Sequence, residues 1–159
     1  MPSSPDVRRR IRLVTDARTM RSYITITTTM GIYSRYNKQD DVIETDVTGV
    51  LGDRREVIDA IFDEIIALTK VLPAKPWVIA CWKNVVFADP SIAEYYGQRT
   101  SNLLNYVSGV VRFAANDPLT RAFVRSQALK HRTGGTRAML YETRAEAIAA
   151  LKDLRGARA

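Results

Sequence analysis

Cysteine and histidine are almost missing from this chain: Cys81 and His131 are the single examples of each. One cysteine excludes an intramolecular disulfide, and one of each excludes the usual Cys/His zinc cages. No spacing suited to a carboxylate metal site is evident, so neither a metal nor a cofactor is expected. With one histidine and no Gly-x-Ser-x-Gly elbow, a nucleophilic hydrolase would be short of a base, and no catalytic residue is assigned. His131 sits between Lys130 and Arg132 near an expected helix C-terminus, where a cation faces the helix dipole favourably. The pair Gly134–Gly135 in "HRTGGTR" lacks both the P-loop spacing and the dinucleotide glycine pattern, and reads as a helix-to-strand turn. No apolar run approaches the ~20 residues of a membrane span. The basic start "MPSSPDVRRRIRLV" lacks the apolar stretch of a secretory signal. The expectation is a non-enzymatic, soluble, cytoplasmic protein.

What is present is an ordinary globular composition. Hydrophobic residues make up 46% and charged residues 26% of 159 positions, enough for one domain with a real core. The net charge of +7 is unevenly spread. Residues 1–21 carry six Arg against two Asp, and residues 112–137 carry six Lys/Arg against one Asp. Residues 22–111 are acidic, with eight Lys/Arg against eleven Asp/Glu. Residues 1–21 are therefore read as a basic arm that need not be ordered, and residues 22–157 as a single α/β domain.

Within the domain, "SYITITTTMGIYSRY" is rich in β-branched and aromatic residues and reads as strand, with Gly31 as a break or bulge. "NKQDD" reads as a hairpin loop and "VIETDVTGVL" as the next strand. "DRREVIDAIFDEIIALTKVL" sets Val57, Ile58, Ile61, Phe62, Ile65, Leu68 and Leu72 at helical spacing, with Asp53 and Glu56 as a start signal and Pro73 as the stop. "PWVIACW" is a short, nearly all-apolar strand of the kind buried on both faces, and Cys81 within it is expected to be a buried, inert thiol. A helix over Pro90–Tyr106, a strand in "VSGVVRFAA", a helix in "NDPLTRAFVRSQALKHR", a strand in "TRAMLYE" and a helix in "TRAEAIAALKDLR" complete the order. Thr143 and Glu146 form a capping box for the last helix. Right-handed β-α-β connections make the later strands parallel, with an antiparallel N-terminal edge. The expectation is a mixed sheet of about five strands with about four helices.

The segments "VIETDVTGVLGDRREVIDAIFDEI", "WVIACWKNVVFADPSIAEYY" and "YETRAEAIAAL" together resemble the STAS-like domains, the anti-sigma-factor antagonists and their relatives. The resemblance covers roughly residues 32–155 and rests on order and pattern. It implies a regulatory domain that binds a protein partner, with Asp89 in the family's acidic position and Ser91 in that of the phosphate acceptor. Pro90 and Ile92 stand where the family has serine and glycine.

Ser91 has a structural reading beside the regulatory one. Ser91 with Glu94 forms a capping box; alternatively Asp89 is the N-cap and Pro90 takes N1, where its missing N–H costs nothing. "NDPLT" repeats the Asp-Pro start at Asp117–Pro118 without a serine. A phosphate on Ser91 would add about −1.5 to −2 charges at a helix N-terminus, where anions are stabilised. Asp89, Ser91 and Glu94, with the loop Lys83–Phe87, are the candidate partner surface. Trp82, Tyr95 and Tyr96, with Trp77 and Tyr106 nearby, are core residues or the lining of a pocket for a small ligand or lipid. Nucleic acid is the less favoured partner, through Arg8, Arg9, Arg10 and Arg12 and through Arg112, Arg121, Arg125, Lys130, Arg132 and Arg137. A free N-terminal β edge would also allow a homodimer.

Overall fold

Period-two alternation sorts the central strands onto two faces. In the computed structural model, which describes residues 10–27, 33–46, 55–86, 89–131 and 140–156, seven strands form one sheet in sequential order. They are β1 (Arg10–Thr15), β2 (Ser22–Thr27), β3 (Ser34–Asn37), β4 (Val42–Asp46), β5 (Trp77–Cys81), β6 (Gly109–Phe113) and β7 (Leu140–Tyr141). The first four pair antiparallel as hairpins, and β4 to β7 pair in parallel. The helices are α1 (Arg55–Thr69), α2 (Pro90–Leu103), α3 (Pro118–His131) and α4 (Arg144–Gly156).

The expected class, the mixed sheet and the four helices hold, but the strands number seven rather than about five. The run "SYITITTTMGIYSRY" yields two strands, β2 and β3; Gly31 itself lies outside the described residues. The supposed arm contributes β1, whose alternating "RIRLVT" is made a strand by the turn that follows it. Asp16 accepts the backbone N–H groups of Arg18 (2.8 Å) and Thr19 (3.3 Å), and Met20 takes the left-handed conformation at φ 56°. An aspartate turn of this kind folds the chain back without glycine.

One face of the sheet carries Ile43, Val78, Ala80 and Val110, buried under α1, α2 and α3. All the forecast apolar positions of α1 up to Leu68 are buried. The helix ends at Thr69, short of Leu72, because Pro73 excludes helical geometry from the residue before it. The last turn tightens into bonds from the N–H of Val71 to Leu68 O and of Leu72 to Thr69 O. The α1 start at Asp53 lies outside the described residues. The second helix stops at Leu103, three residues before the expected Tyr106, in a turn closed by the Tyr106 N–H to Leu103 O.

The other face carries Val42, Trp77, Ile79 and Val111, buried with Ala147 and Leu151 of α4. The Trp77 ring packs against Gly109, its neighbour on β6, so closely that a Cβ there would sit 2.4 Å from the ring. This helix packs against β5, β6 and β7, while α1 packs on the opposite face against β2, β3 and β4. Thr143 caps α4 as expected, its hydroxyl accepting the Glu146 N–H at 3.2 Å; Glu146 reaches back to the N–H of Glu142.

Candidate functional site

Two places combine exposed or polar chemistry with a fixed framework. The first is the rim at the C-terminal ends of β5 and β6, where α/β sheets present their loops. Each strand is followed by a residue in the left-handed region, Asn84 at φ 59° and Ala114 at φ 64°. The two turns are stitched together: the Asn84 N–H donates to Asn116 Oδ1 (3.1 Å), and Asn116 Nδ2 donates to Asn84 Oδ1 (3.0 Å). Buried Thr120 donates its hydroxyl to Val85 O at 3.1 Å. This pins the start of α3 to the loop after β5 and sets Val86 and Leu119, 54% and 81% exposed, on neighbouring segments.

On this rim Asp89 is the N-cap of α2, with Pro90 in the first turn. Its carboxylate accepts the Ser91 N–H at 2.7 Å. That bond, then one from the Ser91 hydroxyl, holds the Asp89 carboxyl below the usual range. The helix start is thus the aspartate register, and the serine is not its cap. Ser91 is exposed and Glu94 half-buried. Asp117 repeats the device, accepting the N–H of Thr120 at 2.8 Å and sharing the Thr120 hydroxyl proton with Val85 O, the hydroxyl oxygen lying 2.8 Å from the Asp117 carboxylate. Phe87 lies outside the described residues.

The second place is on the α4 face, where no element covers β3 and β4 among the described residues. The β3–β4 turn is built by Asn37, fully buried, whose Oδ1 accepts the N–H groups of Gln39 (3.0 Å) and Asp40 (3.2 Å). Its amide nitrogen donates to Asp40 (3.2 Å) and Glu44 (3.0 Å). Asp40 also receives Arg21 (2.8 Å) and Arg144 (3.1 Å). Glu44 receives Arg35, its cross-strand neighbour, at 3.0 Å, and Arg144. Arg35 lies 3.8 Å over the Tyr23 ring. Arg155, at the other end of α4, donates to the carbonyls of Asp40 (2.9 Å) and Asp41. Both ends of α4 therefore grip one hairpin.

Burial alone would raise both carboxyl groups, but hydrogen bonds outweigh it. Arg144 and Arg21 hold Asp40 below the usual carboxylate range, and Asn37, Arg144 and Arg35 do the same for Glu44. Next to this network opens a groove of about 540 Å³, lined by Arg35, Glu44 and Arg144 on its polar side and by Ile79, Cys81 and Phe113 on the sheet. Cys81 is half-buried on this groove, not fully buried as expected.

The aromatic candidates lie elsewhere. Trp82 is fully buried and Tyr96 nearly so; their rings meet edge-on with centroids 5.1 Å apart. The cavity beside Tyr96 holds about 10 Å³, the scale of one water. Tyr95 donates its hydroxyl to Asp59, with Arg55 4.9 Å from its ring centroid. Of the basic residues, Arg112 is 4% exposed and lies beside Trp82 in the core, and Arg121 pairs with Glu142 at 3.2 Å. Arg125 is exposed; Arg8, Arg9, Arg132 and Arg137 lie outside the described residues.

Sequence reasoning missed the Asp40–Glu44–Arg144 network. One signal was available: Arg144 opens a helix, where a cation opposes the dipole, so a strong acidic partner is implied. Among the described residues, no group of three or more His, Cys, Asp or Glu side chains is arranged to hold a metal ion, and no helix is long and apolar enough to cross a membrane. No family model, no curated protein and no solved structure matches the chain.

Proposed function

We propose that this chain is a non-enzymatic, STAS-like regulatory domain that binds a protein partner in the cytoplasm through the rim formed by the β5 and β6 turns and the starts of α2 and α3. The observation that carries the reading is the exposure of Val86, after β5, and of Leu119, at the start of α3, on segments tied together by the Asn84–Asn116 and Thr120–Val85 bonds. A rigid backbone displaying apolar side chains loses little entropy on docking, which favours binding. Ser91 is exposed in the first turn of α2, where a phosphate would change the charge of the rim without breaking the helix.

The test is affinity capture with wild type, Ser91→Asp and the double variant Val86→Asp/Leu119→Asp. The reading expects a partner retained by wild type and lost by the double variant, with Ser91→Asp altering its recovery. Identical partner sets for all three would overturn it. Intact masses without a species heavier by ~80 Da, one phosphate, would remove the switch while leaving the docking surface.

A second reading, a small-ligand or lipid module, is favoured by the groove of about 540 Å³, within the usual range for ligand sites. Native mass spectrometry would reveal a co-purifying ligand, and Phe113→Arg should abolish its retention. A clean apo mass with no thermal shift across lipid and metabolite panels would retire this reading.

A further inference from the structure

The first strand ends the sheet with one side unpaired among the described residues. It hydrogen-bonds β2 alone, and neither helical layer reaches it: α1 packs against β2, β3 and β4, and α4 against β5, β6 and β7. Leu13 is 65% and Val14 45% exposed, on opposite faces of this uncovered strand. The strand contains no proline, and its charged residues are two arginines in its N-terminal half, which leaves Leu13, Val14 and Thr15 without a charge to blunt the edge.

The hydrogen bonds around the turn fix which backbone groups of β1 look outward. The Asp16 N–H donates to Arg21 O at 2.8 Å, so Asp16 and Arg21 form a hydrogen-bonded pair across β1 and β2. Such pairs alternate along an antiparallel ladder. Arg10, Arg12 and Val14 therefore direct their N–H and C=O groups to β2, and Ile11, Leu13 and Thr15 direct theirs to the free side. Ser22, which faces Thr15, agrees with this parity: its carbonyl accepts the Lys38 N–H from the other side, at 3.2 Å.

We infer that β1 is a self-association edge, on which a second copy of this chain adds its own β1 antiparallel about a two-fold axis at Leu13. That register pairs Leu13 with Leu13 and Ile11 with Thr15, so every outward group of the strand is used. On the other face it sets position 10 of one copy opposite position 16 of the second, an arginine against an aspartate. Charge selects this register over those centred nearer the N-terminus. An axis at Ile11 would place Arg10 opposite Arg12, and an axis at Arg12 would place that arginine opposite itself; like charges directly opposed are destabilising. An axis at Val14 pushes Ile11 against Ala17 in the turn and loses its bonds. The complementarity is of the strand to itself, which makes a second copy the occupant. A strand of this length buries less than the ~1,200 Å² of a stable interface, so the dimer is concentration-dependent.

Sedimentation velocity on the full chain over a wide dilution series, with amide hydrogen exchange at both ends of it, tests the inference. The expected result is a sedimentation coefficient that rises with concentration, while the amides of Ile11, Leu13 and Thr15 become protected in step. The amides of Arg12 and Val14 should be protected throughout. Leu13→Pro removes an outward N–H without removing a β1–β2 bond, and should weaken association by about tenfold or more. A wild type that stays monomeric, or whose Leu13 amide is equally protected at every concentration, overturns the inference. So does a folded Leu13→Pro variant that associates like wild type. Should that variant not fold, the exchange result on wild type decides alone.

Discussion

Replacing Glu44 by Gln keeps the shape of the side chain and removes the charge at the centre of the hairpin clamp. The carboxylate accepts from Asn37 and Arg35 at 3.0 Å each, and from Arg144. Its side chain is 16% exposed, against 47% for Arg35 and 41% for Arg144. Exposed pairs are worth ~0–1 kcal/mol, and breaking a buried pair costs ~3–5 kcal/mol. With one partner largely buried and two partly solvated, the expected loss is about 2 kcal/mol, a fall in Tm of ~4–8 °C for a domain of this size. Thermal unfolding followed by circular dichroism measures it. A cycle with Arg144→Gln should give a coupling of ~1 kcal/mol, because the two side chains share one network. The pH dependence has a defined sign. The folded Glu44 and Asp40 carboxyls titrate below their unfolded values, so their contribution is whole above about pH 4.5 and is lost as pH falls through the folded values. The gap between wild type and Glu44→Gln should therefore narrow in acid. A Tm change of under ~1 °C at neutral pH, or a gap equally wide at pH 3, would refute a clamp of this strength.

Gly109→Ala should be costly for a residue in a well-formed strand: the new Cβ meets the Trp77 ring at 2.4 Å, and overpacking of this kind costs about 1–3 kcal/mol, read by denaturant unfolding with tryptophan fluorescence. Glu64→Ala strands the N–H groups of Tyr33 and Ser34, which now donate to the buried carboxylate at 2.8 and 3.1 Å, and should lower stability by about 3 kcal/mol in urea. At the start of α2, Asp89→Ala should lower Tm more than Ser91→Ala, since the aspartate holds the cap; the reverse order would return that role to the serine.

Much of the fold was written in short-range signals. The apolar spacing from Val57 to Leu68 could fold only as one amphipathic helix, and "PWVIACW" had no polar residue for an exposed face. The two Asp-Pro sequences marked where their helices start, because N-cap geometry is local, although at the first of them Ser91 and Asp89 were both open as the cap. The first strand was hidden for a physical reason. "RIRLVT" alternates, yet its two arginines made it look like part of a solvated arm, and the turn at Asp16–Met20 uses a left-handed methionine, not the glycine that announces a hairpin. The Glu44–Arg144 contact was beyond reach, since its partners are 100 residues apart and meet only when the last helix folds over the sheet.

The topology explains why that contact and its groove lie on one face. Strands added in sequence, in one direction and with one crossover hand, send every connecting helix to the same side. Here α1, α2 and α3 obey, and their apolar faces share one core with Ile43, Val78 and Val110. Among the described residues α4 is not part of a β-α-β crossover, and it covers the opposite face of β5, β6 and β7. One helix cannot span seven strands, and among the described residues no helix covers the α4 side of β3 and β4. An apolar residue there would face water, and the sequence instead supplies Arg35, Glu44 and Asp46 at the alternating positions of that face. The same polar residues that make the open face soluble hold the helix beside it, through Arg144 to Glu44 and Arg155 to the turn. The groove is therefore a consequence of an uneven division of helices, three against one, and its ion-paired side is part of what fixes α4 in place. Substitutions that empty the network should loosen α4 before they disturb α1.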